Sequence, residues 1–378
     1  MAPIRVGIIG LGAIEPGLVA AGAWAASALL PSFLSSPHYE LVAVCNSTVA
    51  SARRSIEFHK LGSTVKAYGN PEDIANDPNV DLVAVSINVG KHYAVAKPAL
   101  LAKKQVFVEW PLGANTAEAE ELTKLAKDAN LKTIIGTQFL ADPAFAKVKE
   151  LVDSGAIGKI TSTEAQLSPN YGPPDVWGFD ATYYLDLKSG GNEFHIAMAH
   201  FLAGFLHVLG DFATVKASFL TQYPTVKLLD QRTGQIVDPA YPRKAPDHMF
   251  VQGVLNNGAI ASVNYRRNPQ LVGKPTRWVI TGTEGEIEFT VDGPMLQMGS
   301  HPREIRIKTA KEENGARVVA WGEGTPAHVE GVAFPGQNTA YLFEDFAVSK
   351  EGAPDFEDAL RLHKLLDRIL KDANPKYD

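Results

Sequence analysis

The first 137 residues alternate short, continuously apolar runs with helix-like stretches, and no other feature constrains the fold as much. The runs are Ile4–Gly10 (IRVGIIG), Glu40–Asn46, Asp81–Ile87, Gln105–Trp110 and Lys132–Thr137. Helical stretches such as Ala94–Ala102 and Ala117–Ala129 lie between them. Strands that are apolar on both faces need cover on both, so the pattern predicts a parallel sheet with helices on either side. After about residue 140 the pattern changes. Pro143–Gly158 reads as a helix that stops at a glycine. Longer runs then alternate polar and apolar residues: Lys159–Ser168, Thr214–Tyr223, His248–Asn257, Ala259–Arg267, Arg277–Thr283 and Gly285–Val291. This alternation predicts an antiparallel sheet with one open face, with hairpin turns at Asn256–Gly258 and Gly282–Gly285. A helix from about Glu193 to Leu209 interrupts these strands, and a last helix spans Phe356–Asp372.

A chain of 378 residues can bury two proper cores. Its net charge of -6, with no basic stripe, argues against direct nucleic-acid binding. The single cysteine, Cys45, rules out an internal disulfide and fits a reducing compartment. Pro16–Pro37 carries no charge, but it is rich in Ala, Gly and Ser, is cut by Pro31 and lacks a basic flank. It reads as a loop plus a helix on the sheet, not as a membrane anchor or signal peptide. The ten histidines and one cysteine show no metal-ligand spacing, so no metal site is expected.

The first strand runs into Gly10-Leu11-Gly12-Ala13. The first glycine suits a tight turn, and the second lets a pyrophosphate approach the backbone. The third glycine of the dinucleotide fingerprint is absent, because position 15 is Glu15. The second strand ends Cys45-Asn46-Ser47-Thr48, with Arg53 and Arg54 a turn later. An acidic residue would repel a 2′-phosphate, and none stands here. Ser47 and Arg54 therefore favour NADP over NAD. The plainer reading makes the arginines a solvated helix face.

Several segments together resemble the glucose–fructose oxidoreductase / inositol dehydrogenase / rhizopine catabolism family: the Gly10-x-Gly12 strand, Ser86–Leu112, Asp142–Ser162, Gly190–Gly210 and the last helix. Within the family the chain is most similar to the yeast galactose-pathway co-repressor branch. That similarity rests on Glu109-Trp110, Trp24-Ala25 followed by Pro31, Ile87–Tyr93, Gln138 and Ala245–Gly258. The resemblance implies an α/β fold: an N-terminal Rossmann parallel sheet (residues 1–138), then an α/β domain with a large open, mostly antiparallel sheet (139–355). A C-terminal helix (356–378) packs back on the chain. It also implies that Ser86, Ile87, Asn88, Val89, His92 and Glu109 lie near the cofactor, with Gln138 ending a later strand at the same crevice.

Active family members place a lysine after the glutamate at the end of the fifth strand, and an Asp and a His four residues apart on a later helix. Here these positions hold Trp110, Ile196 and His200. Trp110 would either stack on the nicotinamide or pack structurally. His200 is the surviving relay residue, and His195 and Tyr183 are candidate replacements for the missing acid. A tyrosine serves there if a neighbouring cation lowers its pKa. On a regular helix His195 and His200 sit roughly 140° apart. Two functions follow. One is an NAD(P)-dependent oxidoreductase acting on a carbonyl or alcohol of a sugar, polyol or secondary metabolite, in the cytoplasm. The other is a non-catalytic NAD(P)-binding co-repressor that binds a transcription-activator peptide, with access to the nucleus. A homodimer through the open sheet is expected in both.

Overall fold

The structure, a computed structural model, describes residues 2–17, 22–169, 172–267, 272–293, 295–299, 301–311, 315–348 and 353–373. It divides into two compact units. The first comprises Met1–Ala141, Gln297–Ser300 and Gly324–Lys364. The second comprises Asp142–Leu296, His301–Glu323 and Leu365–Asp378.

In the first unit the apolar runs become β1 (Ile4–Ile9), β2 (Tyr39–Cys45), β3 (Lys66–Tyr68), β4 (Leu82–Val85), β5 (Gln105–Glu109) and β6 (Thr133–Gly136). They form one six-stranded sheet in the order β3-β2-β1-β4-β5-β6. Every pairing is parallel. The order reverses between β1 and β4, and a sheet of this type binds ligands at that switch point, beyond its strand ends. The uncharged stretch after β1 supplies α1, which opens as a wide turn over Ala25–Leu29 and continues as Leu30–Ser35. Residues 18–21 of that stretch lie outside the described residues. Helices α2 (Val49–Phe58), α3 (Pro71–Ala75), α4 (His92–Leu101) and α5 (Thr116–Asp128) connect the later strands. Their starts are chemically marked. Asn115 accepts from Glu118 N at 3.0 Å while Glu118 accepts from Ala114 N at 2.8 Å, which closes a capping box on α5. Among the described residues no helix is long and apolar enough to cross a membrane.

The second unit opens with α6 (Pro143–Asp153), β7 (Ile160–Leu167) and a short strand β8 (Val176–Gly178). Helix α7 (Ala199–Leu209) follows, preceded by a π-helical opening over Glu193–Met198. Next come β9 (Phe212–Leu220), β10 (Thr225–Asp230), β11 (Gln235–Pro242), β12 (His248–Leu255), β13 (Ile260–Arg266), β14 (Thr276–Gly282), β15 (Gly285–Val291), β16 (Arg303–Thr309) and β17 (Arg317–Val318). Eight of these strands form a sheet in the order β17-β16-β15-β14-β7-β13-β12-β9. It is mostly antiparallel, as expected, but β7 and β13 pair in parallel. The alternation puts Met249, Val251, Ala261, Val263 and Tyr265 inside. On the same side Trp278 stacks near Phe145, Phe201 and Phe205 at ring distances of 5.7, 5.4 and 5.9 Å. A separate three-stranded sheet, β11-β10-β8, had no counterpart in the sequence reading.

The chain then returns to the first unit through α8 (Ala327–Glu330), α9 (Gln337–Val348) and the start of α10 (Phe356–Asp372). Phe343 of α9 lies 4.2 Å from the Phe33 ring, and its carbonyl accepts from Tyr39 Oη at 2.6 Å. Residues 374–378 of the expected last helical segment lie outside the described residues.

Candidate functional site

In the first unit the carbonyls of the loop after β1 are fastened by side chains from the end of β2 and from α2. Gly10 has a φ of +102°, a conformation in which a side chain is strained. A Cβ there would also lie 2.3 Å from the Ser86 carbonyl oxygen and 2.4 Å from Ile87 Cγ2. The candidates Gly10, Ser86 and Ile87 are therefore one packed junction of β1 and β4. The Leu11 carbonyl accepts from Asn46 Nδ2 at 2.9 Å and from Ser55 Oγ at 2.7 Å. The Gly12 carbonyl accepts from His59 Nε2 at 2.7 Å. In a trans peptide the N–H points opposite to the C=O. The N–H groups of Gly12 and Ala13 are therefore turned away from α2, and neither has a hydrogen-bond partner among the described residues. Adjacent free amides beyond a parallel strand make an anion cradle. The loop thus fits a dinucleotide pyrophosphate without the third glycine.

The end of β2 is more structural than the sequence suggested. Asn46 braces the loop, and Thr48 caps α2 by accepting from Ser51 N at 3.1 Å. Ser47 and Arg54 are exposed, and Arg53 beside them is exposed too. Neither arginine has an ion pair among the described residues, so two cations stand where a carboxylate is absent. Asn88 is also a cap, accepting from Gly90 N at 3.0 Å. His92 is buried, with Nδ1 2.7 Å from the Pro111 carbonyl and Nε2 3.0 Å from the Ile87 carbonyl. Burial lowers its pKa, and the two carbonyls resist that shift. His92 therefore ties the end of β5 to the end of β4.

Glu109 closes β5. It accepts from Gln138 Nε2 at 3.0 and 2.9 Å and from Trp24 Nε1 at 2.7 Å. All these donors are neutral. Burial pushes its pKa up to about 8, and the hydrogen bonds only partly oppose the shift. Gly136 leaves the room: a Cβ there would lie 2.3 Å from Glu109 Oε2. The bond to Trp24 was invisible in the sequence, where that residue counted only as a mark of resemblance. Trp110 is 4% exposed and its ring lies 4.9 Å from His363 of α10. An indole in the place of the family lysine has no proton to give to an alkoxide, and here it is packed within its own unit.

The second unit gathers polar groups around the start of α7. Asn192 caps the opening turn, accepting from Phe194 N and His195 N, both at 3.1 Å, and lies 3.1 Å from His195 Nδ1. The opening over Glu193–Met198 is π-helical, with i→i+5 hydrogen bonds, so it winds less per residue and narrows the angle between His195 and His200. A regular helix, as the sequence led us to expect, would keep them apart. Burial pushes His195 down to about 4 and His200 down to about 3, so both rings are neutral at pH 7. His200 is 4% exposed, and its Nδ1 has no hydrogen-bond partner among the described residues. Glu193 is buried. It accepts from Tyr265 Oη at 3.0 Å and faces Arg267 Nη1 at 3.3 Å. The Arg267 guanidinium lies 5.1 Å over the Trp177 ring. The sequence reading missed Tyr265 and Arg267, since only strand pairing brings them to Glu193. Tyr183 is half-buried, 5.1 Å from the Tyr184 ring. Burial raises its pKa, and the nearby Asp180 charge adds to the rise. The cation that would make Tyr183 a better acid is thus replaced by an anion, and Lys188 is exposed.

Comparison with known proteins places both halves. Residues 4–137 match the oxidoreductase family with NAD-binding Rossmann fold. Residues 143–291 match the Gal80p C-terminal domain. Dehydrogenase aclE of Aspergillus oryzae is 28% identical over 341 residues, covering 89% of this chain and 87% of that protein. The galactose/lactose metabolism regulatory protein GAL80 of Kluyveromyces lactis is 29% identical over 315 residues, covering 79% of this chain and 66% of that protein. The solved structure of a super-repressor mutant of Gal80p from Saccharomyces cerevisiae superposes with a TM-score of 0.83 at 24% identity. It covers 98% of this chain and 96% of that one, and at this identity it speaks for the fold alone. The chain therefore matches, over residues 4–137, the oxidoreductase family with NAD-binding Rossmann fold and, over residues 143–291, the Gal80p C-terminal domain.

Proposed function

We propose that the protein is an NAD(P)-dependent oxidoreductase acting on a carbonyl or alcohol of a sugar, polyol or secondary metabolite. The nicotinamide supplies or takes the hydride. The chain's own contribution is the amide cradle at Gly12 and Ala13 and a proton-handling group, His200. The observation that carries this reading is the buried His200 ring with Nδ1 lacking a partner among the described residues. A buried polar atom left unpaired costs about 1–3 kcal/mol, and such costs gather at functional sites. A neutral Nδ1 accepts a hydrogen bond from a substrate hydroxyl. Negative charge developing on that oxygen would favour the imidazolium and raise the ring's pKa from its low resting value. His195 is a second candidate for the relay, and Tyr183 is the weaker one. Arg54 and Ser47 favour NADP, because no carboxylate follows β2.

Leu220, Phe250, Val254 and Ile260 project from one face of the large sheet and are 52, 48, 39 and 67% exposed. An apolar face of this kind favours a homodimer through the sheet.

A second reading has its own support. Trp110, packed on His363 where the family lysine would stand, favours a dinucleotide-binding regulator that captures an activator peptide. The deciding experiment follows nicotinamide absorbance with NADPH or NADH across a panel of sugars, polyols and ketones. Turnover that His200→Ala removes, with cofactor affinity retained, supports the enzyme. Tight cofactor binding without turnover, together with cofactor-dependent capture of an acidic activator peptide, supports the regulator and sinks the enzyme.

A further inference from the structure

His38, His328 and Glu344 converge in the first unit from three separate elements: the turn between α1 and β2, α8, and α9. Glu344 turns one oxygen to each ring. Oε2 lies 2.8 Å from His328 Nε2, and Oε1 lies 3.6 Å from His38 Nε2. The two imidazole rings meet edge to face at 6.0 Å. All the candidate ligand atoms lie within 4.8 Å of one another. A zinc-like ion bound at roughly 2.0–2.1 Å sets its ligand atoms about 3.3–3.4 Å apart. The His38–Glu344 spacing is already close to that. The His328–Glu344 contact has to open by about 0.5 Å, and the wider spacings, up to 4.8 Å, have to close by up to about 1.4 Å, so the side chains adjust on binding. The site is half-buried, with side-chain exposures of 37% for His38, 24% for His328 and 13% for Glu344. One side is thus left to water.

We propose that His38, His328 and Glu344 form a binding site for one divalent transition-metal ion, with water in the remaining position. Two imidazoles and a carboxylate suit Zn²⁺, Co²⁺ or Ni²⁺, whereas Ca²⁺ and Mg²⁺ take oxygen ligands. The ion would clip the returning α8–α9 segment to the turn that leads into β2. Three protein ligands, rather than the four of a closed structural site, leave one position open to water or a small ligand. The site is independent of the nucleotide loop and of His200, so it can stand or fall without the proposed oxidoreductase activity. No linear spacing reveals it, because its ligands come from opposite ends of the chain.

The test uses the full-length, tag-free protein stripped with chelator. Titration with Co²⁺ should saturate at one equivalent and give the visible bands of tetrahedral cobalt, and Zn²⁺ should bleach them. Mg²⁺ should do neither. Removing a ligand should cost at least what loss of outer-shell support costs, about 10–100-fold in affinity. His38→Ala and His328→Ala should therefore weaken binding at least that much. Glu344→Gln keeps the shape and is the control against misfolding. With its circular dichroism unchanged, it too should bind more weakly. Zn²⁺ should raise the Tm of the wild type and not of the variants. Absence of cobalt bands, or metal uptake that these substitutions leave unchanged, overturns the proposal.

Discussion

Each unit encloses one glutamate at its candidate site, and the two are held in opposite ways. Glu109 in the first unit is surrounded by neutral donors, the Trp24 indole and the Gln138 amide, and its pKa rises to about 8. Glu193 in the second unit meets a cation, Arg267, and a phenol, Tyr265. Neutral donors can hold a carboxyl that keeps its proton. A buried guanidinium needs an acidic partner beside it, and Glu193 supplies one. The same residue type therefore sits among neutral donors in one unit and against a buried cation in the other.

The same substitution at the two glutamates should then give unequal results. Glu193→Gln leaves Arg267 buried without this counter-charge, and breaking a buried pair costs about 3–5 kcal/mol. Urea unfolding should show a correspondingly lower midpoint. A loss below about 1 kcal/mol would mean that the pair is not the anchor described here. Next in size is Gly10→Ala. The left-handed conformation and the contact with the Ser86 carbonyl should cost about 1–3 kcal/mol, and nucleotide titration should show much weaker binding.

Glu109→Gln should be mild at pH 7, because the carboxyl there is mostly protonated already. Its signature is pH dependence. The folded protein keeps this proton up to about 8, against an ordinary value of 4.5. Its stabilising contribution is thus full below 4.5 and is lost as pH rises through about 8. Because the carboxyl is only partly buried by surface area, the span should be on the order of 1–2 kcal/mol, and Glu109→Gln should flatten it. A wild-type stability curve as flat as the variant's would refute the neutral-donor picture. The smallest effect should be at the exposed Arg54. There, Arg54→Ala should weaken NADPH several-fold and leave NADH unchanged, since one exposed ion pair is worth about 0.2–1 kcal/mol.

The parts of this fold that were legible in the sequence are those with local causes. Continuous apolar runs such as Ile4–Ile9 and Leu82–Val85 must be buried on both faces, and alternation from His248 to Leu255 must leave one face open. The pairs that decide the chemistry are not local. Arg267 reaches Glu193, Trp24 reaches Glu109, and the parallel β7–β13 pair forms only once other strands are placed. Strand β11 was missed because most of its residues are exposed, so it carries little burial pattern. The π-helical turn at Glu193–Met198 left no trace in apolar spacing, and it departs from the regular helix expected there. The return of residues 324–364 to the first unit follows from packing such as Phe343 on Phe33, which no linear pattern records.

Asn46, Ser55 and His59 fasten the Leu11 and Gly12 carbonyls. Ordering one residue's backbone costs about 1–2 kcal/mol. A loop tethered during folding spares an arriving nucleotide that entropy. On the proposed reading, the affinity of the cradle would thus be set partly before the ligand arrives. A Ser55→Ala protein would reveal this first as faster hydrogen exchange at Gly12 and Ala13, and only afterwards as weaker binding.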